Sequence, residues 1–152
     1  MAELEYVPLH VHTMYSPDGL GSIAAMIDFA AKNFRAIAIT DHATLAGVAE
    51  FWGFARQAGL KAIFGNEVYM LYGGKRGHLT ILANGEQGFK SLVALNNEAH
   101  LNLDSRGFPI TTLEMLEKYN NGLTVMTGCA ASPLYYGEEK DGVQFASQLY
   151  DI

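Results

Sequence analysis

Cysteine, basic residues and long apolar runs are all scarce in this sequence of 152 residues. The single cysteine cannot form an internal disulfide, which agrees with a reducing compartment. No apolar run is long enough to span a bilayer, and the first residues are acidic where a signal peptide needs basic side chains. We therefore expect a cytoplasmic protein with no membrane partner.

The charge balance limits the kind of nucleic-acid contact that the chain can make. There are 10 Lys and Arg residues against 16 Asp and Glu residues, and the net charge is -6. This argues against the broad basic surface that non-specific DNA-binding proteins use. Hydrophobic residues form 49% of the chain, which is typical of a folded domain. Any nucleic acid must therefore be contacted locally or through metal ions.

Strand-like runs alternate with segments of helical period, which predicts an α/β domain with a mainly parallel sheet or barrel. The predicted strands are residues 7–11, 36–39, 61–64 continued after Gly65 by 67–71, 78–82 and 123–126. Helices are predicted over about 22–33, 45–58, 89–99, 111–119 and 143–150. Ser22 is a predicted cap, and Thr111 with Glu114 forms a predicted capping box.

The most informative stretch is a His-x-His motif followed by a Ser-Pro-Asp-Gly turn at residues 16–19. Side chains two apart on a strand point to the same face, so His10 and His12 are expected to meet at one spot. The turn would return Asp18 toward the end of that strand. Taken alone, the motif is equally compatible with two histidines on an edge strand.

Further candidate ligands end the later strands or lie beside them, namely His42, Glu67, His78 and Cys129. In parallel barrels the C-terminal ends of the strands form one face, which carries the active site. Imidazole, carboxylate and thiolate together suit zinc, or manganese or iron where oxygen and nitrogen ligands dominate. A carboxylate such as Glu67 can bridge two ions about 3.5–4 Å apart. The pattern predicts a site that activates water and binds a phosphoryl group.

Four other polar residues are given structural roles. Asp41 is expected to cap the following helix or to orient an imidazole, and not to bind metal. His100 ends a predicted helix and matches no motif, so it is expected at the surface. Lys75 and Arg76 are expected at a solvated turn, although they flank His78 and could meet a phosphate.

Four blocks stand out in the order LHVHTMYSPDG, AIAITDHATLAGVAEFWGFARQAGLKAIFGNEVYM, HLTILANGEQGFKSLVALN and GLTVMTGCAASPL. Together they resemble the PHP family, the polymerase and histidinol phosphatase superfamily. They are most similar to the branch found at the N-terminus of bacterial DNA polymerase III alpha subunits. The resemblance covers nearly the whole chain and implies the N-terminal portion of a PHP domain over residues 1–152, with a distorted (β/α)7 TIM-like barrel that is here partial.

The same resemblance implies a cluster of two or three metal ions, zinc or manganese, with iron or magnesium as further candidates. By position, it assigns as metal ligands His10, His12, Asp18, His42, Glu67, His78 and Cys129. It gives a catalytic role to Glu67, His10 and His12. Cys129 stands where many stand-alone members of the family have histidine, which favours the polymerase branch.

Three functions remain open from the resemblance. The first is a metal-dependent phosphoesterase that acts on a DNA 3′ end, as a proofreading exonuclease, or on a smaller phosphate ester. The second is a weakly active or inactive PHP module with a structural or interaction role, whose partners are the rest of a polymerase chain or other replisome subunits. The third is a histidinol-phosphatase-like enzyme that acts on metabolites.

The last PHP motif, an aspartate and a histidine close together on a late strand, does not occur before the sequence ends at Ile152. We expect either a fragment or a naturally short relative, with weak metal-dependent hydrolysis. Open sheet edges favour pairing with another chain, so a homodimer is expected. Such a dimer could donate His100 or Asp104 across its interface.

Overall fold

The computed structural model describes residues 6–128, 130–135 and 139–152. The chain forms two compact units, Met1–Asn66 and Glu67–Ile152. The described residues contain five α-helices, four strands and one short 3₁₀ helix. The α/β class predicted from the sequence is confirmed. None of the described helices has the length and apolar character needed to cross a membrane.

The first unit contains α1 (Ile23–Asn33), β1 (Ala36–Ile39), α2 (Val48–Gln57) and the first part of β2 (Lys61–Tyr72). β1 runs parallel to β2, and their register places Ile39 opposite Phe64. Every residue of β1 is buried, as its uninterrupted apolar run predicts.

The ends of the two helices in this unit reflect their local capping. α1 follows the prediction because the Ser22 side chain accepts a hydrogen bond from the Ala25 amide. α2 starts later than predicted, and its N-cap, Gly47, provides no side-chain bond. In the preceding turn the Leu45 carbonyl accepts the Val48 amide instead.

Residues 7–11, the predicted first strand, lie beside β1 without forming a regular strand. The amides of Ala38 and Thr40 donate to the carbonyls of Pro8 and Val11, each at 2.9 Å. The pairing goes no further because proline has no amide hydrogen, and the Val11 amide donates to Oγ1 of Thr40 at 2.8 Å. The strand prediction is therefore wrong, although the segment is held in place on both sides of His10.

The second unit contains the rest of β2, then β3 (Lys75–Ala83), α3 (Gly85–Leu101), α4 (Leu113–Tyr119), β4 (Leu123–Met126), the 3₁₀ helix Pro133–Tyr135 and α5 (Glu139–Tyr150). Its strand order is β2-β3-β4. β3 and β4 are antiparallel, with Thr80 opposite Met126.

A tight turn joins β2 to β3. It consists of Gly73 and Gly74, which both have positive φ, the conformation that such hairpin turns require. Two residues are too few for a crossover, so β2 and β3 are antiparallel, and the expected mainly parallel sheet is not observed here.

Gly65 also lies buried inside a continuous β2 and does not break it. Glu67 therefore lies in mid-strand and His78 near the start of β3, and neither is at a C-terminal strand end.

α4 begins one residue later than the capping box predicted. Thr112, and not Thr111, is its N-cap and accepts the Met115 amide. Thr111 pairs with β2 instead, because its amide donates to the Tyr69 carbonyl at 2.8 Å and its carbonyl accepts the Leu71 amide at 3.0 Å. Backbone pairing with a strand holds Thr111 extended, so the prediction for this residue is wrong.

Candidate metal centre

The two histidines of the first segment meet within the first unit. The Nε2 atoms of His10 and His12 lie 3.1 Å apart. Their ring centroids are 5.0 Å apart. The two imidazoles therefore face one spot, as their spacing predicted, even though the backbone that carries them is not a regular strand.

Asp18 links this pair to a third histidine. Its carboxylate lies 2.8 Å from Nδ1 of His12 and 3.3 Å from Nε2 of His42. Ser16 supports the arrangement, because its hydroxyl donates to Asp18 at 2.8 Å and accepts the His42 amide at 3.2 Å. One potential ligand atom each from His12, Asp18 and His42 lies within 4.8 Å of the other two.

The Asp18 carboxylate is ionised at neutral pH. Partial burial raises its pKa, but hydrogen bonds from Ser16 and His12 and the nearby charges of His12 and His42 outweigh this, and the pKa falls to about 2. Carboxylates bind metal in this deprotonated form. The first unit therefore offers an anionic oxygen between two imidazoles.

Asp41 has a different role from the one expected. It is buried, and its carboxylate accepts the Thr13 amide at 2.6 Å and the Thr13 hydroxyl at 2.8 Å. It does not cap α2, whose N-cap is Gly47. The prediction of a cap or an imidazole partner was therefore wrong, and Asp41 fixes the start of the loop between His12 and Asp18.

Sequence reasoning missed Ser16 and the bond between Thr13 and Asp41. The sequence pattern marks Ser16 only as a turn residue, although a serine two positions before an aspartate can donate to it. The Thr13–Asp41 bond joins residues 28 positions apart. No local pattern in the sequence marks such a contact.

The second unit brings Glu67 and His78 together. Nδ1 of His78 lies 3.2 Å from Oε1 of Glu67, whose side chain is only 1% exposed. A carboxylate buried to this extent requires a hydrogen-bonding or cationic partner. The antiparallel β2-β3 hairpin produces this contact, and not the convergence of parallel strand ends.

Cys129, the remaining predicted ligand, lies outside the described residues. Ala131, two residues later, pairs with β3. The amide of His78 donates to the carbonyl of Ala131 at 2.9 Å. On the other side, a Cβ atom built on Gly128 would lie 3.5 Å from the carbonyl oxygen of His78.

Two predicted surface residues have different outcomes. His100 lies in the last turn of α3, and its Nδ1 is 2.8 Å from the Asn96 carbonyl, as suits a helix-terminal histidine. Arg76 was expected at a solvated turn, but its side chain is packed against other residues. Its guanidinium lies 3.8 Å from the ring centroid of Phe108 and 3.2 Å from Asp104.

In each unit, taken by itself, the donor atoms are of the kinds that bind a divalent metal ion. Imidazole nitrogen and carboxylate oxygen suit zinc and manganese. Two ligands that are each about 2 Å from one ion are at most about 4 Å apart. The separations of 2.8 and 3.3 Å between Asp18 and its two histidines fall within this limit.

Comparison with known proteins identifies the family. Residues 8–150 match the PHP domain. The chain belongs to the PHP family. This PHP chain is similar to the DNA polymerase III subunit alpha of Borreliella burgdorferi, with 36% identity over 140 residues and 82% of the chain covered. The same subunit of Escherichia coli K12 is 35% identical over 133 residues, which cover 84% of the chain. The chain spans 12% of the length of each of these relatives.

A solved structure shares the fold. An amidohydrolase from Chromobacterium violaceum matches 95% of this chain and 49% of its own, with a TM-score of 0.51 and 24% sequence identity. At this identity the likeness concerns the fold alone. It agrees with the PHP-type α/β fold that the sequence predicted.

Proposed function

We propose that this PHP domain is a metal-dependent phosphoesterase that acts on the 3′ end of DNA. The observation that carries the proposal is the group formed by His12, Asp18 and His42, whose donor atoms lie within 4.8 Å of one another. DNA is favoured as substrate because the similar proteins named above are DNA polymerase III alpha subunits.

The proposed ligands come from both units. They are His10, His12, Asp18, His42, Glu67, His78 and Cys129, among which Glu67, His10 and His12 contact the reacting groups. Their assignment to one metal cluster rests on the match to the PHP domain over residues 8–150. Cys129 is included because it lies within residues 8–150, which match the PHP domain.

Zinc or manganese, as two or three ions, is the proposed cofactor. When bound, the ions would supply an activated water at neutral pH and stabilise negative charge on a phosphoryl group. The chain's own residues provide orientation: Ser16 holds Asp18, and the bond between Asp41 and Thr13 fixes the loop beside His12. Outer contacts of this kind set the ring orientation of ligating histidines.

The proposed biological setting follows from the relatives. We infer that the domain works in the bacterial cytoplasm as part of DNA replication, with the rest of a polymerase chain or other replisome subunits as partners. Similarity to alpha subunits over 82% of the chain supports this inference.

Hydrolysis assays test the proposal directly. A 3′-labelled oligonucleotide, a generic phosphodiester and histidinol phosphate are incubated with the chain and added manganese. We expect the oligonucleotide to be shortened from its 3′ end and the activity to stop when EDTA is added. Preference for histidinol phosphate would instead identify a metabolite phosphatase.

Variants make the assay specific to the proposed site. His12→Ala/Glu67→Ala is expected to lower the rate by at least about 100-fold, since even outer contacts of metal ligands contribute about 10- to 100-fold. His100→Ala is the matched control, because this exposed histidine belongs to no candidate group among the described residues, and it should keep full activity.

A structural or interaction module of the polymerase is the second candidate. It is favoured by one observation. Asp18 contacts both His12 and His42, and Ser16 bonds Asp18 and the His42 amide, so these contacts also hold the turn at residues 16–19 against the segment after β1. Bound metal without turnover of any of the three substrates would support this second function.

A further inference from the structure

Arg76 is an unusual cation because it is packed close to a hairpin turn. Its side chain is 19% exposed. The guanidinium carbon lies 3.8 Å from the ring centroid of Phe108 and 4.9 Å from that of Tyr69. An arginine near a β-turn is ordinarily solvated, so this packing requires a partner that fixes the guanidinium.

Asp104 is that partner. Its Oδ2 atom lies 3.2 Å from Nη1 of Arg76. Its Oδ1 atom accepts the amides of Arg106 and Phe108, at 2.8 and 3.0 Å. The carboxylate is therefore held by the backbone of its own loop and acts as a fixed anchor for the guanidinium.

The packing continues from Arg76 to His78. The ring centroid of Tyr69 lies 5.3 Å from that of Phe108, in an edge-to-face arrangement at 81°. It also lies 5.3 Å from that of His78, at 60°. Glu67 contacts Nδ1 of the same imidazole at 3.2 Å. The imidazole therefore has an aromatic ring and a carboxylate among its contacts, and both groups are buried.

From this geometry we propose that Arg76, anchored by Asp104, is a positioning residue that holds Tyr69 against His78 and so sets the orientation in which His78 binds metal. The proposal rests on the proposed function, because it takes His78 to be a ligand. Arg76 and His78 are two residues apart on β3, so their side chains leave the same face of the sheet. The guanidinium acts through Tyr69 and does not contact the metal.

The direction in which Arg76→Met changes the dissociation constant for Zn²⁺ separates positioning from a simple charge effect. Arg76→Met keeps most of the length and apolar surface of the side chain but removes the cation. If Arg76 acted only through its charge, its removal near a bound cation would strengthen metal binding. Positioning predicts the opposite, and we expect the dissociation constant for Zn²⁺ to rise about tenfold.

The test is calorimetric titration of the full 152-residue chain with Zn²⁺, together with the visible absorption spectrum of the Co²⁺ form. Arg76→Met, Asp104→Asn and Tyr69→Leu should each weaken Zn²⁺ binding and alter the Co²⁺ spectrum. Arg76→Met in the Tyr69→Leu background should add little, because both changes break the same chain of contacts. Arg76→Lys, which keeps the charge but not the planar group, should weaken binding less than Arg76→Met.

Arg56→Met is the matched control. Arg56 also lies over an aromatic ring, at 5.5 Å from the centroid of Trp52 on α2. It should leave Zn²⁺ binding and the Co²⁺ spectrum unchanged. Circular dichroism confirms that each variant is folded, and if Arg76→Met fails to fold, Asp104→Asn and Tyr69→Leu carry the test.

The outcomes distinguish this inference from the proposed function. A wild-type chain that binds no Zn²⁺ would overturn both. Wild-type binding that Arg76→Met leaves equal or makes tighter would overturn the positioning role alone. Additive losses in Arg76→Met and Tyr69→Leu would show that Arg76 does not act through Tyr69.

Discussion

At the scale of single residues, the first unit depends on a buried carboxylate, that of Asp41, whose hydrogen bonds go to Thr13 and not to a proposed metal ligand. Asp41 is 1% exposed and accepts two hydrogen bonds from Thr13. Asp41→Ala leaves a buried amide and a buried hydroxyl without this acceptor, and we expect the free energy of unfolding to fall by about 3 kcal/mol. Urea denaturation measures the change.

Asp28→Ala is the control for this prediction, because Asp28 lies on the exposed face of α1. It should change the free energy of unfolding by less than about 0.5 kcal/mol. Asp41→Asn, which keeps one acceptor oxygen, should fall between the two. If Asp41→Ala is no more destabilising than Asp28→Ala, the bond to Thr13 does not hold the loop.

Asp104 gives a second residue-scale prediction, which concerns pH. The Phe108 amide lowers the pKa of Asp104, whereas burial raises it. The Arg106 amide and the charges of Arg76 and Arg106 lower this pKa further, so that it falls below the ordinary value of 3.8. A lowered folded-state pKa stabilises the protein above the unfolded-state pKa and loses this effect as pH falls through the folded-state value.

The wild-type chain should therefore exceed Asp104→Asn in stability by a constant amount from pH 7 down to about 5, a difference that shrinks as pH falls below about 4. Urea denaturation over this range measures it. Added salt should reduce the part that comes from the arginine charges. A difference between the two chains that grows in acid would contradict the lowered pKa.

At the scale of secondary-structure elements, α3 approaches the turn before β4 too closely for any side chain between them. A Cβ atom on Gly88 would lie 2.0 Å from the carbonyl oxygen of Gly122. Gly88→Ala should destabilise the fold by about 2 kcal/mol or more, because the backbone must move, although alanine favours helices.

Gly53→Ala in α2 is the matched control, because a Cβ atom there meets nothing within 4 Å. It should raise stability by up to about 1 kcal/mol. Thermal melts of both variants test the pair. Equal stability of Gly88→Ala and the wild type would show that the backbones of Gly88 and Gly122 do not exclude a side chain between them.

The elements that could be predicted from sequence are those that local chemistry determines. α1 and β1 follow from apolar spacing and the Ser22 cap, which need no distant partner. Thr111 and residues 7–11 were assigned wrongly because each is fixed by backbone bonds to a strand remote in sequence. The Gly73–Gly74 turn was visible in the sequence, but its consequence for strand direction was missed.

The candidate site likewise has parts that the sequence predicts and parts that it does not. The meeting of His10 and His12 follows from their spacing, and the return of Asp18 follows from the turn. The Arg76–Asp104 pair could not be predicted, because it joins residues 28 positions apart through a fold that the sequence pattern did not describe.

At the scale of the whole molecule, association into a homodimer stays a prediction. In the second unit the strand order ends at β4, whose sequence Leu-Thr-Val-Met carries no charge. Uncharged edge strands favour pairing with another chain. Light scattering behind a sizing column should give twice the chain mass, and a monomer with a cooperative melt at micromolar concentration would show that this edge does not pair.

Metal content is the whole-molecule property that tests the proposed site most directly. The chain is purified without chelator, and zinc, manganese and iron are quantified by mass spectrometry for the wild type, His12→Ala/Glu67→Ala and His100→Ala. We expect at least one ion per chain in the wild type and in His100→Ala, and almost none in the double variant, because it loses one proposed ligand from each unit. A double variant that keeps its full zinc or manganese content would contradict the proposed metal centre.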